Sequence, residues 1–410
     1  MEEKNKITQL LHTPYEKEDA YHSLAMPIYQ TAAYEFDSAE EMEKAFCGLS
    51  SEHAYSRITN PTVQYFEKRV QALTGALSVT AMNSGMAAIS NICMTVAYAG
   101  SNIVTSSHLF GNTYSLFKST LSAFGVEMRF CDLLSAEAVR EAIDENTCAV
   151  FLETITNPQL EVADLRLLAS IARERNVPLI ADTTLVPFHV FHAREFGIDI
   201  EIVSSTKYIS GGATSLGGLI IDYETFDWSC SPRLSEMAAQ VGRSAFTAKL
   251  RKEVHRNLGA YMTPQTAYAQ TLGLETLEVR YSRQASTCLE LAKHVATLTQ
   301  VCKVSYPGLE SSPFYAISQE QFGSFPGAMF TFDLESRQVC FRFMDRLRLI
   351  RRATNLFDNK SLAIHPASTI YGNFTEEQRQ SMDVSQHTIR ISVGLEAVED
   401  LFADICQALR

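Results

Sequence analysis

Short apolar segments alternate with helical segments through much of this chain, and the alternation strongly limits the folds it can adopt. Strands are predicted at 103–105, 126–130, 149–152, 177–181 and 201–203, with helices such as 135–143 and 165–175 between them. Short apolar strands separated by helices are typical of a parallel sheet covered on both faces. The sequence therefore predicts an α/β fold with a mostly parallel sheet, whose functional sites lie at the carboxyl ends of strands.

The alternation stops near residue 232, which indicates a second domain. Helices are predicted at 234–253, at 255–278 with an interruption at Pro264, and at 282–297, with strands near 329–333 and 388–393. A length of 410 residues also favours two domains. We expect an N-terminal arm over 1–50, the sheet domain with the site over 51–255, and a smaller α+β domain over 256–410.

Composition excludes several classes of protein. The formal net charge is −12, whereas nucleic-acid or anionic-membrane surfaces call for a basic excess. The nine cysteines include no Cys-x-x-Cys pair and no Cys/His cluster with zinc spacing, which favours a reducing cytosol and no metal site. The N-terminal stretch 1–6 is charged and unlike a signal peptide, and no apolar run reaches the length of a spanning helix. We expect a cytoplasmic protein.

Lys207 is the residue whose side chain most clearly indicates a chemical role. It follows the apolar run 198–203, with Ser204 and Thr206 before it and Gly211-Gly212 after it. A lysine at the end of a buried strand is costly unless its amine is used, because burial disfavours the ammonium form. A neutral amine can form a Schiff base with an aldehyde, and the hydroxyls could hold a phosphate. Taken alone, the stretch is equally consistent with a solvated lysine in a polar loop.

Further candidates lie elsewhere along the chain. Asp182, at the end of the preceding strand, could keep a ring nitrogen protonated or could simply cap the strand. Ser84-Gly85-Met86 begins a helix, where backbone N–H groups favour a phosphate, although most such sequences are turns. Arg57 could bind the same phosphate, and Arg390, inside the apolar segment 389–393, could bind a carboxylate. Most arginines of this kind lie on the surface.

Together these motifs resemble the Cys/Met-metabolism family of pyridoxal-phosphate (PLP) enzymes, which have the aspartate-aminotransferase-like fold, fold type I. The matching segments occur in the family's order and cover nearly the whole chain: 54–62, 84–88, 110–114, 156–158, 182–184, 204–208, 273–277, 365–368 and 390–394.

The resemblance implies a role for each motif. Lys207 would be the Schiff-base lysine and the proton shuttle, and Asp182 would pair with the pyridine nitrogen. Phe110 would stack on the ring, and Arg390 would bind the substrate carboxylate, with Asn355 and Tyr55 also at the substrate. The phosphate would be bound by Ser84, Gly85, Met86, Ser204 and Thr206, and by Tyr55 and Arg57 of a neighbouring subunit. A homo-oligomer follows, a dimer usually paired into a tetramer.

Departures from the family pattern help to choose the reaction. Phe110 stands where lyases and cystathionine synthases usually have Tyr, and it has no hydroxyl for acid catalysis. Asn112 replaces the Cys of methionine γ-lyases, and Thr354-Asn355 replaces the Glu-Ser of cystathionine-handling members. The segment 355–369 is most similar to O-acylhomoserine sulfhydrylases. Thr183, for the family's usual Asn, is interpreted as a minor departure.

The expected reaction is γ-replacement on O-acetyl-L-homoserine by sulfide, which gives L-homocysteine and acetate for methionine biosynthesis. Besides Lys207, the nearest candidate acid or base would be Tyr55. Alternatives in the same class are a methionine or cystathionine γ-lyase and a cystathionine γ-synthase. A remote alternative is a non-catalytic nucleotide-binding protein, but 211–217 lacks the Gly-Lys-Ser/Thr ending of a P-loop.

Overall fold

A computed structural model describes residues 5–15 and 21–410. The predicted arm is thus described only in part, and most of the charged N-terminal stretch lies outside the described residues. None of the helices in the described ranges is both long and apolar enough to cross a bilayer.

The larger sheet has seven strands and is mostly parallel. The strands are β1 (Ser78–Met82), β2 (Asn102–Thr105), β3 (Glu127–Phe130), β4 (Thr147–Glu153), β5 (Leu179–Asp182), β6 (Ile200–Val203) and β7 (Gly218–Asp222). Their spatial order is β1-β7-β6-β5-β4-β2-β3. Only β7 runs antiparallel to its neighbours, β1 and β6. The mostly parallel sheet is confirmed, and β1 is an additional strand that the sequence pattern did not reveal.

Helices cover both faces of this sheet and continue into the second half of the chain. They are α1 (Lys6–Leu11), α2 (Ala39–Cys47), α3 (Pro61–Thr74), α4 (Gly85–Val96), α5 (Gly111–Ser115), α6 (Ala136–Ala142), α7 (Leu165–Glu174), α8 (Ser235–Val241), α9 (Ala245–Lys249), α10 (Arg256–Leu258), α11 (Pro264–Glu275), α12 (Leu277–Val295), α13 (Tyr315–Phe322), α14 (Arg337–Arg346), α15 (Glu376–Ser381) and α16 (Val398–Ala408). π-helical turns extend α5 at Leu116–Leu121 and join α9 to α10 at Leu250–His255.

Polar caps fix where several helices begin. The side chains of Asn60, Ser84, Ser135 and Asp164 each accept a backbone N–H in the first turn of α3, α4, α6 and α7. The helix predicted over 255–278, with an interruption at Pro264, is interrupted over residues 259–263, just before that proline. Gly259, with φ of 69°, ends α10, and Thr263 and Pro264 start a new helix, since proline fits the first helical turn.

The second sheet has five strands in the order β10-β11-β12-β9-β8. They are β8 (Lys303–Ser305), β9 (Met329–Asp333), β10 (Arg351–Arg352), β11 (Leu362–Ile364) and β12 (Thr388–Ser392). β9 and β12, the two predicted strands, form its centre and pair antiparallel. The domain boundary at 255/256 stays a prediction. That point lies inside the continuous helical run from Ala245 to Leu258.

Candidate active site

The carboxyl ends of neighbouring parallel strands bring the main candidates to one edge of the large sheet. β5 ends at Asp182, and Lys207 follows the end of β6 by four residues. Asp182 is paired in register with Glu153, the last residue of β4, and with Ile202 of β6. The amine of Lys207 and the carboxylate of Asp182 are close enough for each charge to affect the pKa of the other group.

Lys207 is held by a residue from the C-terminal part of the chain. Its Nζ donates to Oδ1 of Asn355 over 2.9 Å. Burial and, after it, the positive charge of Arg390 lower the pKa of Lys207 to about 8, while Asp182 acts in the opposite direction. A larger fraction of this amine is therefore neutral near pH 7 than in an ordinary lysine, as nucleophilic attack on an aldehyde requires.

The carboxyl of Asp182 has a fixed orientation. Its Oδ1 accepts the backbone N–H of Thr184 over 2.9 Å. Burial raises the pKa of Asp182, while Thr184 and Lys207 oppose that effect. A carboxylate in such a place, beside a cation, is suited to hold a protonated ring nitrogen.

Glu153 is a second carboxyl at this edge, which sequence reasoning missed. It is buried, and its Oε1 accepts the N–H of Phe110 over 2.6 Å, while no partner within the described chain bonds its Oε2. Burial and the neighbouring Asp182 raise the pKa of Glu153. The available signal was an acidic residue at the end of a buried strand, just before the Thr156-Asn157-Pro158 motif.

The N-terminus of α4 forms a cradle of anion-binding type. Ser84 caps the helix by accepting the N–H of Ala87, and Gly85 lies against Ser204. A Cβ on Gly85 would come within 2.8 Å of the Ser204 Cβ, and one on Gly218 would come within 2.1 Å of the Ser84 carbonyl oxygen. These close approaches place the first N–H groups of a twelve-residue helix, which starts with Gly85 and Met86, beside the Ser204 hydroxyl.

The hydroxyl of Thr206 is already engaged in the turn. It donates to the carbonyl of Gly217 over 3.1 Å and accepts the N–H of Gly217 over 3.0 Å. Thr206 therefore ties the Lys207 segment to the start of β7. Its role as a phosphate ligand stays a prediction.

Phe110, Tyr55 and Arg57 have different surroundings. Phe110 is half-buried at the start of α5, where Glu153 holds its backbone. Tyr55 is 40% exposed, and the guanidinium of Arg57 lies 5.3 Å from the centre of its ring. In this chain Arg57 also donates to the carbonyl of Arg256. The structure thus brings Lys207, Asp182 and Arg390 together, whereas Tyr55 and Arg57 form a partly exposed pair of their own.

Arg390 is a buried cation from the centre of the second sheet. It is 3% exposed, and burial lowers its pKa to about 10. It donates to Oδ1 of Asn157 over 2.9 Å and to the carbonyl of Asn355 over 3.3 Å. Within the described chain no carboxylate forms an ion pair with it, and a buried guanidinium without a counter-ion is suited to an anionic ligand. Asn157, which sequence reasoning cited only as part of a motif, belongs to this site.

These residues fit a phosphorylated aromatic aldehyde such as PLP. The site offers a pKa-lowered amine, a carboxylate beside it, an anion cradle built on two glycine contacts, and a buried guanidinium for a substrate carboxylate. No group of three His, Cys, Asp or Glu side chains suited to a metal ion occurs in residues 5–15 and 21–410.

Comparison with known proteins identifies close relatives. The family model described as Cys/Met metabolism PLP-dependent enzyme matches residues 7–410. The chain is 37% identical over 416 residues to O-acetyl-L-homoserine sulfhydrylase 1 of Thermus thermophilus, covering 98% of this chain and 99% of the relative. It is 36% identical over 391 residues to an L-methionine gamma-lyase of Fusobacterium nucleatum, covering 95% and 94%.

Solved structures agree with these relatives. The O-acetylhomoserine sulfhydrylase of Wolinella succinogenes is 47% identical, with a TM-score of 0.78, covering 87% of this chain and 99% of that one. A putative O-acetylhomoserine (thiol)-lyase of Campylobacter jejuni, which carries N'-pyridoxyl-lysine-5'-monophosphate, is 31% identical with a TM-score of 0.92, covering 99% and 100%.

Proposed function

Because the chain belongs to the Cys/Met metabolism family of PLP-dependent enzymes, we propose that it is an O-acetyl-L-homoserine sulfhydrylase. PLP is its cofactor, and its fold is the predicted fold type I. The proposed reaction replaces the acetate of O-acetyl-L-homoserine by sulfide and gives L-homocysteine, a step of methionine biosynthesis. Among the relatives, the sulfhydrylase of Wolinella succinogenes is 47% identical.

One observation about the site carries the proposal. Asn355 accepts the amine of Lys207 with its side chain and the guanidinium of Arg390 with its backbone carbonyl. A single residue therefore sets the distance between a basic amine and a buried cation. An α-amino acid whose carboxylate lay on Arg390 would have its Cα proton near that amine, as proton transfer from this carbon requires.

The other residues would have the following roles. Lys207 would hold PLP and move protons at Cα and Cβ of the substrate, and Asp182 would keep the proton on the ring nitrogen. Phe110 would cover the ring. The phosphate would lie on the backbone of Gly85 and Met86 and on Ser84, Ser204 and Thr206, with Tyr55 and Arg57 from a second subunit. When bound, PLP supplies an electron sink for the charge that develops beside the substrate carboxylate.

The leaving group favours replacement over thioether elimination. Acetate departs without a proton donor, whereas a thiolate benefits from one. Phe110 carries no hydroxyl where such a donor would act, so Tyr55 is the remaining candidate acid or base besides Lys207.

A γ-lyase is the second candidate, because a methionine gamma-lyase is 36% identical to this chain. It would release ammonia and 2-oxobutanoate from methionine or cystathionine. A cystathionine γ-synthase would instead add cysteine to the acylhomoserine. The hydroxyl-free Phe110 argues against the lyase.

Assembly and location complete the proposal. We expect a dimer, paired into a tetramer, since Tyr55 and Arg57 form a partly exposed pair of their own in this chain yet would serve a cofactor site. A cytoplasmic location is supported by the nine cysteines, all of which are unpaired thiols.

The test is a substrate comparison with purified protein. Homocysteine formed from O-acetyl-L-homoserine and sulfide is measured against ammonia and 2-oxobutanoate released from methionine and cystathionine, and O-succinyl-L-homoserine is included. Sulfide-dependent homocysteine should dominate by at least about tenfold in kcat/KM. Lys207→Ala is the control, and it should lose both activity and the borohydride-reducible link to PLP. Dominant release of 2-oxobutanoate would instead establish the γ-lyase.

A further inference from the structure

A buried acid lies behind the candidate site, on a strand that is otherwise apolar. Glu201 of β6 is 0% exposed. Its Oε1 accepts the hydroxyl of Thr183 over 2.6 Å, and its Oε2 accepts the hydroxyl of Tyr223 over 2.5 Å. Within the described chain no lysine or arginine forms an ion pair with it. Burial is the main cause that raises the pKa of Glu201 to about 7; the two hydroxyl groups oppose it, and the charge of Asp182 acts in the same direction as burial.

The hydroxyl partners suit both protonation states of Glu201. When the carboxyl is ionised, Thr183 and Tyr223 donate to its two oxygens. When it is protonated, it can donate to the Thr183 oxygen, whose own hydrogen then turns to the carbonyl of Ile202, 3.4 Å away. A buried carboxyl with two satisfied arrangements can change its charge without leaving a polar atom unpaired.

Glu201 is coupled to the end of β5 by structure and by charge. Thr183 follows Asp182 directly, and its N–H donates to the carbonyl of Ile202 over 2.9 Å. Ile202 is also the register partner of Asp182. The charge of Asp182 raises the pKa of Glu201, and because this repulsion is mutual, an ionised Glu201 makes Asp182 a stronger proton acceptor.

Charged groups on neighbouring elements interact with residues other than Glu201. Asp199, which directly precedes β6, accepts the N–H of Leu179 and the hydroxyl of Thr225, with Arg173 of α7 acting on it. Arg194 acts on Tyr223, and Glu67 of α3 is paired with Arg251.

We propose that Glu201 is a positioning residue for Asp182. The charge of Glu201 sets how strongly Asp182 holds a proton on the cofactor ring nitrogen, and the hydrogen bond of Glu201 fixes Thr183. Thr183, the departure from the family's usual Asn, thus gains a function as the link between the two carboxyls. The inference rests on the proposed placement of the PLP ring over Asp182.

The test is a pH titration of the visible absorption of the PLP-loaded protein. Glu201→Gln removes the negative charge. The pH at the midpoint of the absorption change should therefore fall by about one unit, which corresponds to a tenfold lower proton affinity of the bound PLP. Tyr223→Phe removes one hydrogen-bond donor, favours the neutral acid and should give a smaller shift in the same direction. It also keeps the test possible where Glu201→Gln fails to fold.

Asp222→Asn is the matched control. Asp222 is buried, burial raises its pKa to about 6, and it accepts the Thr247 hydroxyl over 2.7 Å, but it lies at the far end of β7. Its midpoint should equal that of the wild type. Equal shifts in Asp222→Asn and Glu201→Gln, or none in Glu201→Gln and Tyr223→Phe, would overturn the inference. Asp182→Asn distinguishes a failure of this inference from a failure of the proposed ring placement. A spectrum unchanged by Asp182→Asn would refute the ring placement itself.

Discussion

At the scale of single residues, Phe110 limits the leaving groups that the proposed site can assist. Its backbone is fixed by Glu153, so a substitution that keeps the ring keeps the backbone geometry. A tyrosine at this position would add one hydroxyl and little else. Proton donation to a departing group contributes orders of magnitude in many enzymes, which makes the residue a sensitive point for reaction choice.

Phe110→Tyr should therefore raise elimination from methionine and cystathionine by about tenfold and leave PLP affinity unchanged. Release of 2-oxobutanoate and the PLP dissociation constant are the two measurements. Phe110→Leu is the comparison variant, because it lacks an aromatic face and should weaken PLP binding. Loss of PLP from Phe110→Tyr would show that Phe110 does not lie over the ring.

The pKa of Lys207 leads to a second prediction. Only the neutral amine reacts with the aldehyde, so the rate at which the apoprotein captures PLP should rise as pH increases through about 8. Arg390→Gln removes a positive charge that lowers this pKa, and the midpoint should then move to higher pH. Stopped-flow absorbance follows the capture, and Arg351→Gln, on the exposed strand β10, should keep the wild-type midpoint. A downward shift in Arg390→Gln would contradict the electrostatic explanation.

Residues differ in how far the sequence could reveal them. Lys207 and Asp182 follow apolar runs, and the sequence placed both at strand ends. Glu153, Asn157 and Glu201 act through partners on other strands, which sequence neighbours do not reveal. Thr183 was interpreted as a minor departure because its partner, Glu201, lies 18 positions away and is brought close only by the pairing of β5 with β6.

At the scale of elements, the contact between β7 and the start of α4 determines the shape of the anion cradle. Gly218 opens β7, and its Cα faces the carbonyl of Ser84 and the N–H of Gly85. A side chain there would displace the helix N-terminus, since main-chain atoms have little freedom to yield.

Gly218→Ala should weaken PLP binding by at least about tenfold, because the first helical N–H groups would move away from the phosphate. Fluorescence titration of the apoprotein with PLP measures the loss. Gly212→Ala is the matched control, since its nearest contact would be an ordinary 3.5 Å to Thr214. If both variants bind PLP as tightly as the wild type, the phosphate lies elsewhere.

Elements with a regular pattern were predictable and those without it were not. The strands β4 and β6 and the helix α7 were predicted within about two residues, because their apolar runs and caps are clear. β8, β10 and β11 have only two or three residues each and contain little periodicity. Their existence depends on pairing, of β8 with β9, β11 with β12 and β10 with β11, which is a tertiary property.

At the scale of the whole molecule, the site joins distant parts of the chain. Arg390 reaches from the second sheet to Asn157, beyond the end of β4. The hydroxyl oxygen of Tyr371 lies 2.8 Å from the carbonyl oxygens of both Leu109 and Asn157, and its single hydrogen can be donated to either of them. These bonds fix the C-terminal part against the loops that carry Phe110 and Asn157, so substrate binding at Arg390 would be transmitted directly to those loops.

The proposed dimer can be tested with mixtures of two inactive variants. If Arg57 serves the site of its partner, a dimer of one Lys207→Ala subunit and one Arg57→Ala subunit contains one intact site. Random mixing makes half of the dimers hybrid, so activity should recover to about a quarter of the wild type. A mixture of Lys207→Ala with Asp182→Asn is the control and should stay inactive, because both residues belong to one chain's site. Exchange of subunits is verified with two affinity tags, and exchange without recovery in the first mixture would place Arg57 in the site of its own chain.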